Sequence, residues 1–548
     1  MATLVKAHGD DAAKRAGRVH AAGVTPRALL IGLILTIVVD FWIHYAELIM
    51  GGVQGHSALA NTSIPVGAFS LMFVLTGVNL LCRHVLPGLA LRPAEMLVVY
   101  VMMTTSSVLS SSGQLHFVIP TVAAAYHYAT VENGWAGIFH RFVPPWMAQT
   151  NPAVLSGFYQ GKTAVPVPLW LPQMATWIGF MCALAGASLC VVVILRRQWV
   201  DQERLAFPTV ALPLAVLEEK TPVFRRGLFW LGFVLPFGVS LINTIALNVP
   251  SVPAVNLRSN LDLQTFLTSP PWNAIGSTPL SFYPFVIGIA YLIPVDVTFS
   301  CWFFTLVTRA ERVFGAAAGI DAGTSGSQQA TFPYQGHQGA GAFIALTVVS
   351  LWMARGYLKD VVKKAFGENV ALDDSDEPMS YRAALTGLFV CMATIGLTCS
   401  FLIALSFWHG YGAEAKTDAW RTSQGRVPFD NLTALLRTPP AIDVKGIGAL
   451  GFGFLATTLL VLARNYFVWW PFHPVGYAIA NTNTMNATWM PFFLAWVFKT
   501  LALRYGGARF YRASLPFFLG LIAGDLVGGG FFTFLGGLTG INVYPINW

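Results

Sequence analysis

Apolar runs of roughly 20 residues recur from residue 27 almost to the C-terminus, and a run of that length crosses the ~30 Å hydrocarbon core of a bilayer as one helix. This pattern leaves few folds open, because backbone polar groups at membrane depth are satisfied only in helices or closed barrels. Composition agrees. Of 548 residues, 11% are charged and 55% hydrophobic, and the mean hydropathy is +0.60, whereas soluble chains carry about 25% charged residues. The expected fold is therefore all-α: a polytopic transmembrane bundle of about ten to twelve spans plus re-entrant or broken helices. The 51 Gly and 32 Pro, many of them inside the apolar runs, fit helices that pack closely or break where protein or a watery cavity covers the freed backbone.

The net charge of +8 comes from Lys and Arg at the ends of apolar runs, which is a topology signal and not a nucleic-acid face. Residues 1–26 are polar, with Lys6, Lys14, Arg15 and Arg18. They precede a run too long for a signal-peptide core, so they read as a cytoplasmic N-terminal tail. A first transmembrane half over 27–320 follows, then a loop, helix and acidic segment (Asp373 to Glu377) over 321–382, then a second half over 383–548. Expected spans include 64–82, 169–195, 228–248, a pair of 282–293 and 295–314 broken at Pro294, then 339–354, 383–407, 446–464, 487–503 and 515–535. Arg309 and Arg312 violate positive-inside logic, which leaves the parity of 282–338 open. The six cysteines (Cys82, Cys182, Cys190, Cys301, Cys391, Cys399) lie in apolar stretches without CxxC or Cys/His spacing, so neither disulfide nor metal site is expected.

Two short Pro-bearing segments are too short to cross and read as re-entrant: one with Phe207, Pro208 and Pro213, the other with His473, Pro474 and Gly476. Each follows an Arg-terminated span (175–197; 446–464) and precedes a basic turn and a glycine-bearing span (228–248; 515–535). Paired interrupted segments in corresponding halves point to a transporter's midplane site.

Asp40, His44 and Glu47 are spaced i, i+4, i+7 and so share one helical face. A carboxylate at mid-helix costs about 2.5 to 3.5 kcal/mol on insertion scales, so it faces a cavity or a partner and is a candidate for reversible protonation. The alternative is that only Asp40 is buried, held by a neighbouring helix. Asp296, beside Pro294, and Asp525, in a glycine-rich run, sit where helices break or approach closely, either as cation or proton sites or as caps of half-helices. Gln114 and His116, next to the Ser/Thr-rich stretch 104–112, and Asn481, Asn483 and Asn486 offer neutral donors and acceptors to a substrate, or hydrogen bonds between helices. Glu95 is expected to stabilise a helix start, and Lys499 to snorkel towards the interface. There is no P-loop, HExxH, GxSxG or haem motif, so neither cofactor nor enzymatic activity is expected.

At Leu91-Arg92-Pro93-Ala94-Glu95-Met96-Leu97, Glu132-Asn133-Gly134-Trp135, Phe207-Pro208, His473-Pro474-Val475-Gly476-Tyr477 and Pro516-Phe517-Phe518-Leu519-Gly520-Leu521, the chain resembles an uncharacterised family of bacterial polytopic membrane proteins. That family is itself similar to the oligopeptide transporter superfamily. The resemblance implies a duplicated multi-helix transporter in the bacterial inner membrane that moves small peptides or metal chelates by proton symport. Its expected partners are the lipid bilayer and a small-molecule or peptide substrate, with a homo-oligomer or membrane complex also open. The alternative from another class is a noncatalytic membrane scaffold or accessory subunit. A membrane-embedded hydrolase built on two of the carboxylates ranks third.

Overall fold

The computed structural model describes residues 24–50, 58–60, 62–111, 115–202, 207–218, 223–255, 257, 261–320, 332–359, 425–437, 443–480 and 482–545. Helix α1 (Pro26–His44) starts where Thr25 accepts the Ala28 amide and Pro26 occupies the first turn, a position at which a missing N–H leaves no gap. It runs on into a π-helical turn, Tyr45–Ile49. Helices α2 (Val66–Val85) and α3 (Pro93–Ser110) follow. Glu95 accepts the Arg92 amide at 2.8 Å, the Thr25 hydroxyl at 2.7 Å and Arg27 Nη2 at 2.6 Å. This carboxylate therefore caps α3 and ties its start to the start of α1, the structural role its position implied.

The remaining described α-helices of more than one turn are α4 (Leu115–His127), α5 (Pro152–Gln160), α6 (Val167–Arg197), α7 (Pro208–Leu217), α8 (Gly227–Asn248), α9 (Pro284–Leu292), α10 (Val295–Ala317), α11 (Gln335–Met353), α12 (Val427–Arg437), α13 (Val444–Tyr466), α14 (Pro474–Ile479) and α15 (Asn483–Thr539). Among the described residues there are no strands, and only an isolated bridge joins Asp262 to Pro279. The protein is an all-α polytopic membrane protein, in which seven described helices are long and apolar enough to cross a bilayer. Helices α10 and α11 are long enough but too polar to join that set. The expected span 383–407 lies outside the described residues, as do the tail 1–23 and the acidic stretch 373–377.

Pro294 breaks α9 from α10 as the sequence implies, and the two short segments form α7 and α14, each opening with proline in its first turn. The spans 487–503 and 515–535 lie in two helices as expected, and the basic turn between them is a kink and not a loop. Gly507 alone leaves helical geometry there (φ 62°, ψ −169°), a conformation that an L side chain resists. Helix α15 is thus two helices, 483–506 and 508–539, joined without a loop.

Glycine sets the closest approaches between helices. A Cβ at Gly232 of α8 would lie 2.1 Å from the Phe517 carbonyl oxygen. At Gly520 and Gly524 of α15 it would lie 2.1 Å from the Phe229 and Phe233 oxygens, so each helix presses its backbone into the other. The pair α11–α13 repeats the device, with Gly341 against Leu450 and Gly453 against Gln338. Around the α8–α15 seam the core is aromatic and aliphatic, with Phe69, Phe229, Ile522 and Leu526 fully buried. On α13, by contrast, Ile447, Leu455 and Leu459 are more than half exposed, as expected of a lipid-facing stripe.

Candidate functional site: a buried carboxylate and imidazole chain

The face formed by Asp40, His44 and Glu47 is buried throughout. Glu47 lies on the π-turn that continues α1 and is buried with the other two. The partners come from the end of α3 and the start of α4, the Ser/Thr-rich stretch and His116. Ser106 and Ser110 hydroxyls donate to the two oxygens of Asp40, each at 2.7 Å. Ser110 Oγ also lies 2.7 Å from the Ser106 carbonyl oxygen. With a single hydroxyl proton, Ser110 serves the carboxylate when Asp40 is charged and can turn to the Ser106 carbonyl when Asp40 carries a proton. Both protonation states of Asp40 therefore find hydrogen-bond partners without a backbone shift.

One turn along, His44 Nδ1 meets His116 Nε2 at 3.0 Å, and His116 Nδ1 faces Glu47 Oε2 at 3.4 Å. Ser111 Oγ donates to the same Glu47 oxygen, and the backbone of Leu59 and Ala60 faces this carboxylate. An ionised Glu47 only accepts, which places a proton on His116 Nδ1 and makes Nε2 the acceptor from His44 Nδ1–H. The result is an ordered chain, imidazole to imidazole to carboxylate, along which a proton accepted by His44 can emerge on Glu47.

The other expected residues make separate contacts. Asp525 is buried and accepts the Phe285 amide at 3.2 Å, so it caps the start of α9. Asp296 pairs with Arg464 at 2.6 Å, both about one-third exposed, and its carbonyl takes the Ser300 hydroxyl, whose oxygen accepts the His473 amide. Gly476 lies against Ser300, so α14 is seated on the start of α10. Phe207 is exposed, while Pro213 and Pro474 are buried. Asn486 accepts from Arg309, Asn483 is exposed, and Gln114 and Asn481 lie outside the described residues.

One cation was misread from sequence and another left open. Lys499 does not snorkel: it is buried, and Nζ donates at 2.7 Å to the Ile293 carbonyl, one of the groups freed by the α9–α10 break. Arg309 is 5% exposed, so it is no topology marker, which is why positive-inside logic stalled there. The sequence carried no signal for this, because Thr308, Glu311 and Arg312 surround Arg309 as they would a water-facing Arg. Among the described residues, no three His, Cys, Asp or Glu side chains converge as a metal would require.

Two segments of the chain, residues 18–399 and 391–548, match a single family model. The chain belongs to DUF6785, a family of unknown function. The match to DUF6785 spans the carboxylate and imidazole chain and both short Pro-initiated helices. No curated protein matches the chain.

Proposed function

We propose that the protein is a proton-coupled secondary active transporter of the bacterial inner membrane and not an enzyme, with its N-terminal tail in the cytoplasm. The carrying observation is the buried chain His44–His116–Glu47, one turn from Asp40, inside a bundle of apolar helices. Ionisable side chains are costly at that depth, and chains of them are the usual means of moving protons through pumps and transporters. Broken helices beside buried polar groups add support, since binding sites in such proteins form where helices are discontinuous. By its resemblance to the oligopeptide transporter superfamily, the substrate is a small peptide or a metal chelate.

The test is uptake by proteoliposomes containing the full chain, with and without an inward proton gradient, against short peptides and metal chelates read out by mass spectrometry. Gradient-dependent retention supports the reading. Retention that ignores the gradient removes proton coupling, and no retention in sealed vesicles of known orientation, together with a partner co-purifying at fixed stoichiometry, replaces transport with a scaffold role.

A further inference from the structure

Arg309 and Arg312 are three residues apart on α10 and so share a face. Arg309 Nη2 donates to Asn486 Oδ1 at the start of α15, but Arg309 Nε and Nη1 and Arg312 Nη1 are buried nitrogens with no hydrogen-bond partner among the described residues. A guanidinium cannot discard its charge as a buried Lys can, and a buried cation without a counter-charge is among the costliest groups a fold can hold. The carboxylate that attracts Arg309 electrostatically, Asp262, is already engaged. It accepts the Ser277 hydroxyl and the Thr278 and Gln264 amides at 2.6, 2.8 and 2.9 Å. Glu311, between the two arginines in sequence, receives Gln338 Nε2 at 3.3 Å. The junction thus holds two mutually repelling cations beside one hydrogen-bonded carboxylate, with three guanidinium nitrogens left without acceptors among the described residues.

We propose that Arg309, anchored by Asn486 and backed by Arg312, binds the oxyanion of a ligand, a carboxylate or phosphate group. Such an anion supplies what this junction lacks: lone pairs for the unused N–H groups and a further negative charge between like charges, in charge-assisted hydrogen bonds. Asn486 fixes the guanidinium without neutralising it, where an aspartate would have closed the site with an internal ion pair. Read with the proposed transport, on which only this last step rests, the anion is the carboxylate of the transported peptide or chelate.

The experiment follows thermal unfolding of the purified full chain in detergent, at constant ionic strength, with acetate, succinate or phosphate against chloride and acetamide as controls. Saturable stabilisation by carboxylates or by phosphate, absent with chloride and acetamide, is expected, and whichever anion acts names the source. Arg309→Lys should weaken that response at least about tenfold. Asn486→Asp should raise the unfolding temperature without added anion and abolish the response, because the carboxylate fills the site from within. That variant keeps the test sound if Arg309 variants fail to fold. No oxyanion response, or one unchanged in Asn486→Asp, overturns the proposal. The assay uses no gradient and no vesicle, so failure of transport and failure of this site are read separately.

Discussion

His44 Nδ1 and His116 Nε2 are 3.0 Å apart although 72 residues separate them in sequence. The contact joins the last turn of α1 to the first turn of α4, and through His116 Nδ1 it reaches back to Glu47 on the π-turn of the first segment. Two elements that are distant in the chain thus share one chain of hydrogen-bonding side chains. Relative motion of α1 and α4 would open or close it, which is the kind of linkage a coupled transporter needs.

Replacing His116 with Phe keeps an aromatic ring of similar size but removes both nitrogens of the relay. Gradient-driven accumulation in proteoliposomes should fall about tenfold or more, while substrate counterflow without a gradient continues. Equal loss of both activities would make His116 a packing or substrate residue and detach it from coupling.

Asp40→Asn imitates the protonated carboxylate. The Ser110 hydroxyl can turn to the Ser106 carbonyl 2.7 Å away and accept the new amide N–H, so the fold should hold within about 1 kcal/mol. Accumulation against a gradient should nevertheless disappear. Asp40→Ala removes the acceptor of two buried hydroxyls and should cost about 1 to 3 kcal/mol. Unchanged uptake by Asp40→Asn would take this residue out of the mechanism.

Periodicity made the first face readable, because Asp40, His44 and Glu47 are intolerable to lipid and fall on one side of a helix. Pro294 likewise announced the break it makes, since a missing N–H is a local property. Pairing was not readable. The Ser/Thr stretch and His116 looked like neutral hydrogen-bonding groups until α3 and α4 set them against α1. Arg309 and Asn486, 177 residues apart, carry no mark of one another, and an Arg near a helix end has the same appearance whether it faces water or a buried partner. Lys499 misled for the same reason, as its acceptor is a carbonyl freed 206 residues away. Sequence speaks to local geometry and to the cost of burial, and three-dimensional packing decides who meets that cost.

The α8–α15 seam gives a test of packing that is independent of function. Gly524→Leu places a side chain where the Phe233 carbonyl oxygen is 2.1 Å from the Cβ position, and helix separation should cost about 1 to 3 kcal/mol or more. Gly238→Ala, on α8 with nothing within 4 Å of its Cβ, should be neutral or gain up to about 1 kcal/mol from helix propensity. Thermal unfolding in detergent separates the two, and equal behaviour would mean that the backbones do not approach so closely.

Asp262 organises the loop that follows α8. Burial opposes its charge, but hydrogen bonds from Ser277, Thr278 and Gln264, with the attraction of Arg309, outweigh it and hold the carboxyl below its ordinary value of 3.8. A group depressed on folding contributes stability that is fully present above its unfolded pKa and is lost as pH falls through the folded one. Hydrogen–deuterium exchange, corrected for intrinsic rates, should therefore show residues 261–283 fully protected above pH 3.8 and loosening only below it, while the seam of α8 and α15 stays closed. Asp262→Asn should loosen the loop at every pH and remove its acid sensitivity. If the native loop opened well above pH 3.8, its order would rest on some other group, and the contacts of Trp489 Nε1 with the Pro279 carbonyl at 2.9 Å and of Ser281 with the Ala487 carbonyl would be the next to change.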